Sequence, residues 1–338
     1  MLVRELKEHC AKRGKGVKFG ILQFFSWPGR RVSLPTVYER TLQRIEIMDR
    51  AGYDAVWLTE HHFTDYSVCP SIPVMGSYAA ARTQRLRIGA GVSLAALYHP
   101  LRLAEEIALL DILSGGRVNW GVGRGFDVNE FRAFDVPLDE SQARFRESVD
   151  IVLRAWTDER LHYTGQYYSF DGVEVLPKPL QQPHPPVWTA ASSPAAIAWS
   201  AAMGYSILMD PHSTHTEIGQ KWTSYRDQLE HHGHSISGRD IPMARLVAVA
   251  PTDAEARQVA TQGARWLIDA YVDPERFGVV GDPVQNYVDR VIIHGSPERV
   301  VDELARLHQD IHLDYLIGAP LSHQSFLLLT DKVLPRLI

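Results

Sequence analysis

A short apolar run that ends in polar side chains constrains the fold of this chain more than any other stretch. The run Ala55–Leu58 is followed, after one threonine, by Glu60, His61 and His62. Such a run is typical of a parallel strand buried on both faces, which carries its polar groups at its C-terminal end. Neighbours in an extended segment point to opposite sides, so we expect one histidine to face a cavity and the other to anchor the rim. From these residues alone, a pair of hydrogen-bonded structural histidines is an equally good interpretation.

Further apolar runs alternate with segments of helical periodicity along the whole chain. Leu34–Ala51, for example, has apolar residues at helical spacing and is followed by Gly52, a common helix stop. Eight strands that alternate with helices predict an α/β fold, a (β/α)8 TIM-type barrel with insertions. An open doubly wound sheet is the alternative, although it rarely needs eight such units. The predicted strands are Val17–Phe25, Ala55–Leu58, Leu86–Val92, Val118–Gly121, Val187–Ala190, Ser206–Met209, Ala244–Ala250 and Tyr315–Ile317.

Three segments fall outside this alternation. Residues 1–16 are basic and polar and are predicted to form an appended arm, which leaves 17–338 as a single barrel domain. Residues 157–186 are rich in proline and contain a hairpin signal at Gly165, so they are predicted to run over the surface. Tyr271–Gly295 is long and lacks clear periodicity, which predicts a lid or mobile loop.

Composition excludes several classes of protein. The chain has 338 residues and a net charge of −5, which argues against a nucleic-acid-binding face. No apolar run is long enough to span a membrane and no signal-peptide core is present, so no membrane association is expected. With two cysteines, Cys10 and Cys69, neither a disulfide framework nor a zinc knuckle is predicted, and a cytoplasmic location is expected. The histidines at 231, 232 and 234 are interpreted as helix-end residues and not as metal ligands.

Two turns that follow predicted strands predict a phosphate site. The turn Gly121–Phe126 is rich in glycine and contains Arg124, whose forked cation suits phosphate. Ser192 and Ser193 precede Pro194, and Ser193 is a good N-cap for a helix whose N-terminus would attract an anion. Each turn alone fits an ordinary turn or capped helix equally well. Together they predict that one phosphorylated cofactor lies across the strand ends, with its ring over the small residues that end the third strand.

The ordered set of motifs resembles the bacterial luciferase-like, flavin-dependent monooxygenase superfamily. The resemblance covers about residues 17–320, with the pieces in the family's order. The matching pieces are Glu60-His61-His62-Phe63, Gly89-Ala90-Gly91-Val92, His99-Pro100 with Arg102 and Glu105, Leu110-Asp111 with Ser114, Gly116 and Arg117, Gly121 to Gly125, Pro185-Pro186 with Trp188, Ser192-Ser193, and Gly295-Ser296-Pro297-Glu298.

The resemblance implies an activity, a cofactor and partners. It implies a TIM-type barrel that binds reduced FMN, and a C4a-peroxyflavin, formed with O2, that oxygenates a small organic substrate. It implies that a separate flavin reductase supplies the reduced FMN, because no GxGxxG fingerprint follows a strand here. Family habit also implies a homodimer formed through helices 73–81 and 100–113.

Roles for individual residues follow from the same resemblance. His61 corresponds to the catalytic histidine, which exchanges protons near neutral pH. Glu60 corresponds to a neighbour of the flavin ring, and Gly91-Val92 to a cis peptide beneath it. The phosphate clamp corresponds to Arg124 with the backbone of Gly125 and Phe126, and its other half to Ser192 and Ser193.

The chain also departs from the luciferases proper. Those proteins carry threonine, tyrosine and tryptophan where this chain has Ala196, Asp127 and Pro211, so neither light emission nor a long-chain aldehyde substrate is predicted. An F420-dependent hydride-transfer enzyme of the same superfamily and a non-catalytic flavin-binding subunit stay open as alternatives. The candidate substrate-pocket residues are Phe25, Trp27, His62, Asp210 and His212.

Overall fold

The computed structural model of the protein describes residues 17–273 and 281–337. The arm predicted for residues 1–16 lies outside them. The strands are β1 (Lys18–Gln23), β2 (Ala55–Leu58), β3 (Arg87–Ala90), β4 (Ser93–Leu94), β5 (Val118–Gly123), β6 (Leu161–Thr164), β7 (Ser169–Val173), β8 (Val187–Ala190), β9 (Ser206–Leu208), β10 (Met243–Val249), β11 (Ile293–Gly295) and β12 (Tyr315–Pro320). The helices are α1 (Leu34–Ala51), α2 (Ile72–Ala81), α3 (Pro100–Leu113), α4 (Val128–Ala133), α5 (Ser141–Thr157), α6 (Pro194–Ala202), α7 (His215–His231), α8 (Asp253–Ala270), α9 (Pro283–Arg290), α10 (Pro297–Ile311), α11 (His323–Leu328) and α12 (Leu334–Leu337).

Local sequence signals set the ends of the helices. Helix α1 begins where the Ser33 hydroxyl accepts a hydrogen bond from the Thr36 backbone N–H, and it ends before Gly52, as predicted. Helices α7 and α8 begin with capping boxes, in which a threonine and a glutamate three residues later bond each other's backbone N–H groups. These caps satisfy N–H groups that a helix leaves unpaired.

The chain divides into two compact units. The first comprises Gln23–Ala190, and the second combines the residues up to Leu22 with those from Ala191 onward. In the first unit the parallel strands lie in the order β2-β3-β5-β8, and β4 also pairs with β5. In the second unit the parallel order is β11-β10-β12-β1, and β9 joins β10 through a parallel bridge between Met209 and Met243. All eight predicted strands are present, and parallel pairing with intervening helices confirms the α/β class.

The segment between β5 and β8 contains the predicted hairpin. Strands β6 and β7 pair antiparallel, and the Gly165 N–H donates to the Tyr168 carbonyl across the turn. The Glu147 carboxylate accepts hydrogen bonds from the backbone N–H groups of Gln166, Tyr167 and Tyr168. Helix α5 therefore holds this turn in place.

Residues 281–295 of the segment Tyr271–Gly295 are not structureless, and a lid role for the segment stays a prediction. These residues contain α9 and β11, whereas 274–280 lie outside the described residues. Helix α9 is only eight residues long and buries Tyr287 and Val288, which is too little to produce a periodic pattern. Its start was nevertheless encoded locally, because Asp282 caps it and proline follows.

Two short features near the ends of β3 and β5 were not predicted. The predicted strand Leu86–Val92 is interrupted, since β3 ends at Ala90 and β4 begins at Ser93. Helix α4 follows β5, begins with an Asp127 cap, and buries Glu130 and Phe131. Six residues are too few for helical periodicity to be visible in the sequence.

Within residues 17–273 and 281–337, no helix is both long enough and apolar enough to cross a membrane.

Candidate active site

Two adjacent histidines after β2 bind two different buried carboxylates. The His62 Nε2 atom lies 3.2 Å from Glu60 Oε1, and the His61 Nδ1 atom lies 3.4 Å from Glu130 Oε1. The His62 backbone N–H also donates to Glu130 Oε1 at 2.9 Å. Each histidine ring therefore contacts a different carboxylate, and which of the two rings faces a cavity stays a prediction. Glu130 contacts both histidine residues and thereby joins the two pairs.

The Glu60 carboxyl is fully enclosed by protein. Burial raises the pKa of this carboxyl, although the His62 ring and the Tyr98 hydroxyl favour its ionised form. Burial together with the Glu60 charge in turn raises the pKa of Tyr98. Glu60 and Tyr98 therefore form a site where protons are held more tightly than in water.

His61 is held through one side of its ring. The Tyr66 hydroxyl lies 2.6 Å from His61 Nδ1, and the two rings are 4.5 Å apart. The His61 backbone N–H donates to the Cys69 carbonyl, which fixes the main chain as well. Among the described residues, none forms a hydrogen bond with His61 Nε2, which leaves that nitrogen for a ligand.

The ends of β3 and β5 approach each other closely beside the histidines. The Gly91–Val92 peptide bond is cis, as the family resemblance implied, and the Gly91 N–H donates to the Leu58 carbonyl at 2.7 Å. A Cβ atom on Gly121 would lie 2.0 Å from the Ala90 carbonyl oxygen, and one on Gly123 would lie 2.5 Å from Val92 Cγ2. A side chain on Gly121 would therefore overlap the backbone of β3, whereas one on Gly123 would overlap a single methyl group of Val92.

The arginine loop after β5 lies next to the candidate catalytic histidine. The Phe126 ring centroid is 6.0 Å from that of His61, and 37% of Phe126 is exposed. Gly125 has a φ of +87°, a conformation that favours glycine. The Arg124 Nη1 atom donates to the Ser141 hydroxyl at 3.0 Å, so α5 orients the guanidinium. The structure thus brings Arg124, Gly125 and Phe126 to the same end of the sheet as His61.

Aromatic rings line the rim beyond His62. Phe63 is 70% exposed and adopts a φ of +58°, which is uncommon for a residue other than glycine. Its ring lies 5.3 Å from that of Phe134, which in turn lies 4.8 Å from the His62 ring. This rim offers apolar surface to an organic ligand.

The remaining predicted residues of the first unit have structural contacts. Phe25 is fully buried, with its ring 6.2 Å from that of Tyr38, so a pocket role would require its ring to become exposed. The Trp27 indole N–H donates to the Val32 carbonyl. Their roles in a substrate pocket stay predictions.

The other predicted residues belong to the second unit. Ser193 caps α6 by accepting from the Ala196 N–H, and Ser192 precedes it. Burial would raise the pKa of the Asp210 carboxyl, but the Lys221 ammonium at 2.8 Å holds it below its usual range. His212 Nε2 lies 3.0 Å from the Tyr271 hydroxyl. A shared phosphate site for the serines and Arg124, and a pocket role for Asp210 and His212, stay predictions.

Sequence reasoning missed Tyr66, Tyr98 and Glu130. Glu130 lies three residues after Asp127, a spacing that is itself a helix-start signal. Nothing local indicates that Glu130 would reach residues 68 positions earlier in the chain. Over the described ranges, no group of three histidine, cysteine or acidic side chains could hold a metal ion.

Comparison with known proteins gives a family match over most of the chain. Residues 17–312 match the family model of the luciferase-like monooxygenases. The flavin-dependent trigonelline monooxygenase oxygenase component of Acinetobacter baylyi is 28% identical over 228 residues, which are 67% of this chain and 63% of that protein. The uncharacterized protein y4wF of Sinorhizobium fredii is 36% identical over 189 residues, 56% of this chain and 55% of its own length. The chain thus spans less than two thirds of the length of these two curated relatives.

Solved structures match over nearly the full length. Monooxygenase RslO1 from Streptomyces bottropensis has a TM-score of 0.83 and 30% identity, and the match covers 94% of this chain and 99% of that one. The oxygenating constituent of 3,6-diketocamphane monooxygenase from Pseudomonas putida, solved with FMN, has a TM-score of 0.82, 20% identity and coverage of 96% and 99%. An F420-dependent tetrahydromethanopterin reductase from Methanopyrus kandleri has a TM-score of 0.75, 19% identity and coverage of 96% and 100%. These matches confirm the predicted α/β barrel class.

The family model covers most of the chain, and the RslO1 match covers 94% of it at 30% identity. The chain belongs to the luciferase-like monooxygenase family.

Proposed function

We propose that the chain is the oxygenase component of a two-component monooxygenase that uses reduced FMN and O2 to oxygenate a small organic substrate. The observation that carries the proposal is the grouping in the first unit of the closely packed Gly91–Val92 backbone, the Arg124 loop, and His61, whose Nε2 atom has no hydrogen bond to any described residue. FMN chemistry needs three things from a protein: a surface against which the flat ring can lie, a proton-exchanging group and a phosphate-binding cation.

The donor set fits FMN. Arg124 and the backbone N–H groups of Gly125 and Phe126 would hold the phosphate, because a guanidinium and amides bind phosphate oxygens in fixed directions. The peptide at Gly91–Val92 would lie against the flavin ring, where small side chains leave the backbone accessible. Reduced flavin, when bound, supplies the electrons that activate O2. His61 Nε2 would hold or return a proton beside the ring, and the exposed Phe63 and Phe134 rings would exclude water from the substrate.

A separate reductase is part of the proposal. The relative from Acinetobacter baylyi is named as an oxygenase component, which implies a second component that supplies reduced flavin. No GxGxxG motif follows a strand in this chain, which supports external delivery of reduced FMN.

The test is rapid mixing of the protein and photoreduced FMN with oxygenated buffer. We expect a lag between mixing and the appearance of oxidised-flavin absorbance, because the bound flavin is sheltered from water. His61→Ala should leave FMN binding largely unchanged but lower the rate of substrate oxygenation by about 10²- to 10⁴-fold. Immediate oxidation at the rate of free flavin would contradict the proposal, as would an unchanged rate in the variant.

The F420-dependent alternative is supported by the fold likeness to the reductase from Methanopyrus kandleri. Titration with reduced F420 and with reduced FMN separates the two functions. Tighter binding of F420, with hydride transfer in the absence of O2, would favour the alternative. Flavin binding without any turnover would instead favour the non-catalytic subunit.

We also propose that the protein is a homodimer that buries one face of α2 and α3. Four large apolar side chains on these two packed helices are exposed: Val74, Tyr78, Leu109 and Leu113, with exposures of 71%, 51%, 47% and 61%. Apolar surface of this kind usually marks a contact with another protein. Light scattering on a size-exclusion column should give twice the chain mass, and V74D/L113D should give one chain mass. A monomeric wild type would contradict the dimer.

A further inference from the structure

We infer that Glu130 is the positioning residue for His61: it fixes the proton on Nδ1 and so makes Nε2 the nitrogen that accepts protons from a ligand. The inference rests on the proposed catalytic role of His61 and adds a residue that no sequence motif singled out. Its evidence is the geometry around a single ring nitrogen.

Two groups surround His61 Nδ1. The Tyr66 hydroxyl oxygen is 2.6 Å away, and the Glu130 Oε1 atom is 3.4 Å away. A hydroxyl can donate or accept, but a carboxylate oxygen only accepts. If Nδ1 carried a lone pair, it would face the lone pairs of Glu130 Oε1. A proton on Nδ1 removes that repulsion and lets the Tyr66 oxygen accept a hydrogen bond.

Glu130 is well placed to impose this choice, because it cannot turn away. Its side chain is 1% exposed, and Oε1 also accepts the His62 backbone N–H at 2.9 Å. The cap at Asp127 begins α4, the helix that carries Glu130. The charge therefore stays beside the histidine whether or not a ligand is present, and burial makes its interaction stronger than in water.

The consequence for proton transfer follows directly. With the Nδ1–H bond held, the lone pair of the neutral ring is on Nε2, which is the nitrogen without a hydrogen bond to any described residue. Nε2 accepts a proton from the ligand, and the ring becomes a cation that Glu130 stabilises. Nε2 then returns this proton to the ligand, while the proton on Nδ1 stays in place. Without the carboxylate, the neutral ring would exchange between its two tautomers and the cation would lose its counter-charge.

The experiment is ¹⁵N NMR of the flavin-free protein labelled at histidine, which reports the tautomer without any turnover. The chain has 15 histidines, so the His61 signals are assigned by their loss in His61→Gln. We expect wild type to show a protonated Nδ1 and an unprotonated Nε2. Glu130→Gln keeps an acceptor for the His62 N–H but adds an N–H donor, and it should shift the tautomer ratio toward protonated Nε2 by about tenfold. Glu130→Asp should restore the wild-type tautomer in part.

Two further variants separate the alternatives. Tyr66→Phe should retain the protonated Nδ1, because Glu130 decides the tautomer. Glu106→Gln, a carboxylate paired with Arg102 on α3, is the matched control and should leave the His61 signals unchanged.

A wild type with protonated Nε2, or a Tyr66→Phe variant that loses the Nδ1 proton, would overturn the inference, since Tyr66 would then be the deciding group. If Glu130→Gln does not fold, wild type and Tyr66→Phe still decide between these results. The NMR experiment reads the tautomer in the absence of flavin. A failure of the Glu130 inference is therefore distinct from a failure of the monooxygenase proposal, which the mixing experiment reports.

Discussion

The contact between Gly123 and Val92 allows a quantitative test of how β5 packs against the Val92 side chain. Gly123 ends β5, and a Cβ atom there would lie 2.5 Å from Val92 Cγ2. Unstrained carbon atoms are about 3.5–4.0 Å apart, so Gly123→Ala overlaps by roughly 1 Å or more. The two other close neighbours, Ala190 Cβ and Val92 Cβ, would lie at 3.4 and 3.5 Å, which is ordinary contact. The overlap is therefore with one methyl group.

This overlap sets the expected magnitude. Overpacking of this size costs about 1–3 kcal/mol of unfolding free energy. Val92→Ala alone removes two partly buried methyl groups and should cost about 1–2 kcal/mol. In the double variant V92A/G123A the overlap disappears, so the two changes should be less destabilising together than their sum by about 1–3 kcal/mol.

The assay is thermal unfolding of wild type, both single variants and the double variant. Chains of 150–250 residues lose about 2–4 °C per kcal/mol, and this longer chain should lie at or below the lower value, about 2–6 °C in all for Gly123→Ala. Gly318→Ala in β12 is the control, because its Cβ would have no neighbour closer than 3.5 Å. Equal melting temperatures for Gly123→Ala and Gly318→Ala, or strictly additive effects in the double variant, would refute the steric argument.

Three further predictions follow from single sites. Arg124→Met should weaken FMN binding by about 10- to 100-fold but change riboflavin binding little, because the lost interaction is with the phosphate. Arg102→Met, on the exposed face of α3, is the control. Equal losses of affinity for FMN and riboflavin, or a similar loss of FMN affinity in the control, would contradict this prediction. Burial and the charges of Arg245 and Arg306 lower the pKa of His215 to about 3. As the pH falls below 6.5, His215 therefore becomes protonated in the unfolded chain but not in the folded one, and the free energy of unfolding should decrease by at most about 1.4 kcal/mol per pH unit. Between pH 6.5 and pH 5, the urea midpoint should decrease less for His215→Gln than for wild type. Equal decreases in the two proteins would contradict this prediction. Burial raises the pKa of Cys69 to about 12, so in a Cys10→Ser background Ellman's reagent should label the thiol only after unfolding; fast labelling of the folded protein would show that the site is open.

The sequence was sufficient wherever the determining signal is local. The apolar runs and the helical periodicity predicted eight strands that are all present, although the parallel strands β4 and β11 were missed, and the caps and glycines placed the ends of helices such as α1. The ordered motifs led to the family that the comparison confirmed. Periodicity did not predict the short helices α4 and α9, because they have six and eight residues, fewer than a periodic pattern needs.

The candidate site divides in the same way. Sequence alone selected His61, His62, Glu60 and the Arg124 loop, because their residue types and their positions after strands are visible along the chain. Only the tertiary structure decided which carboxylate each histidine binds. Glu130 reaches the His62 N–H across 68 positions, through a helix too short to predict, and it also contacts His61. Contacts of this kind depend on how loops fold over the strand ends, and no local sequence pattern encodes which distant residues are brought together.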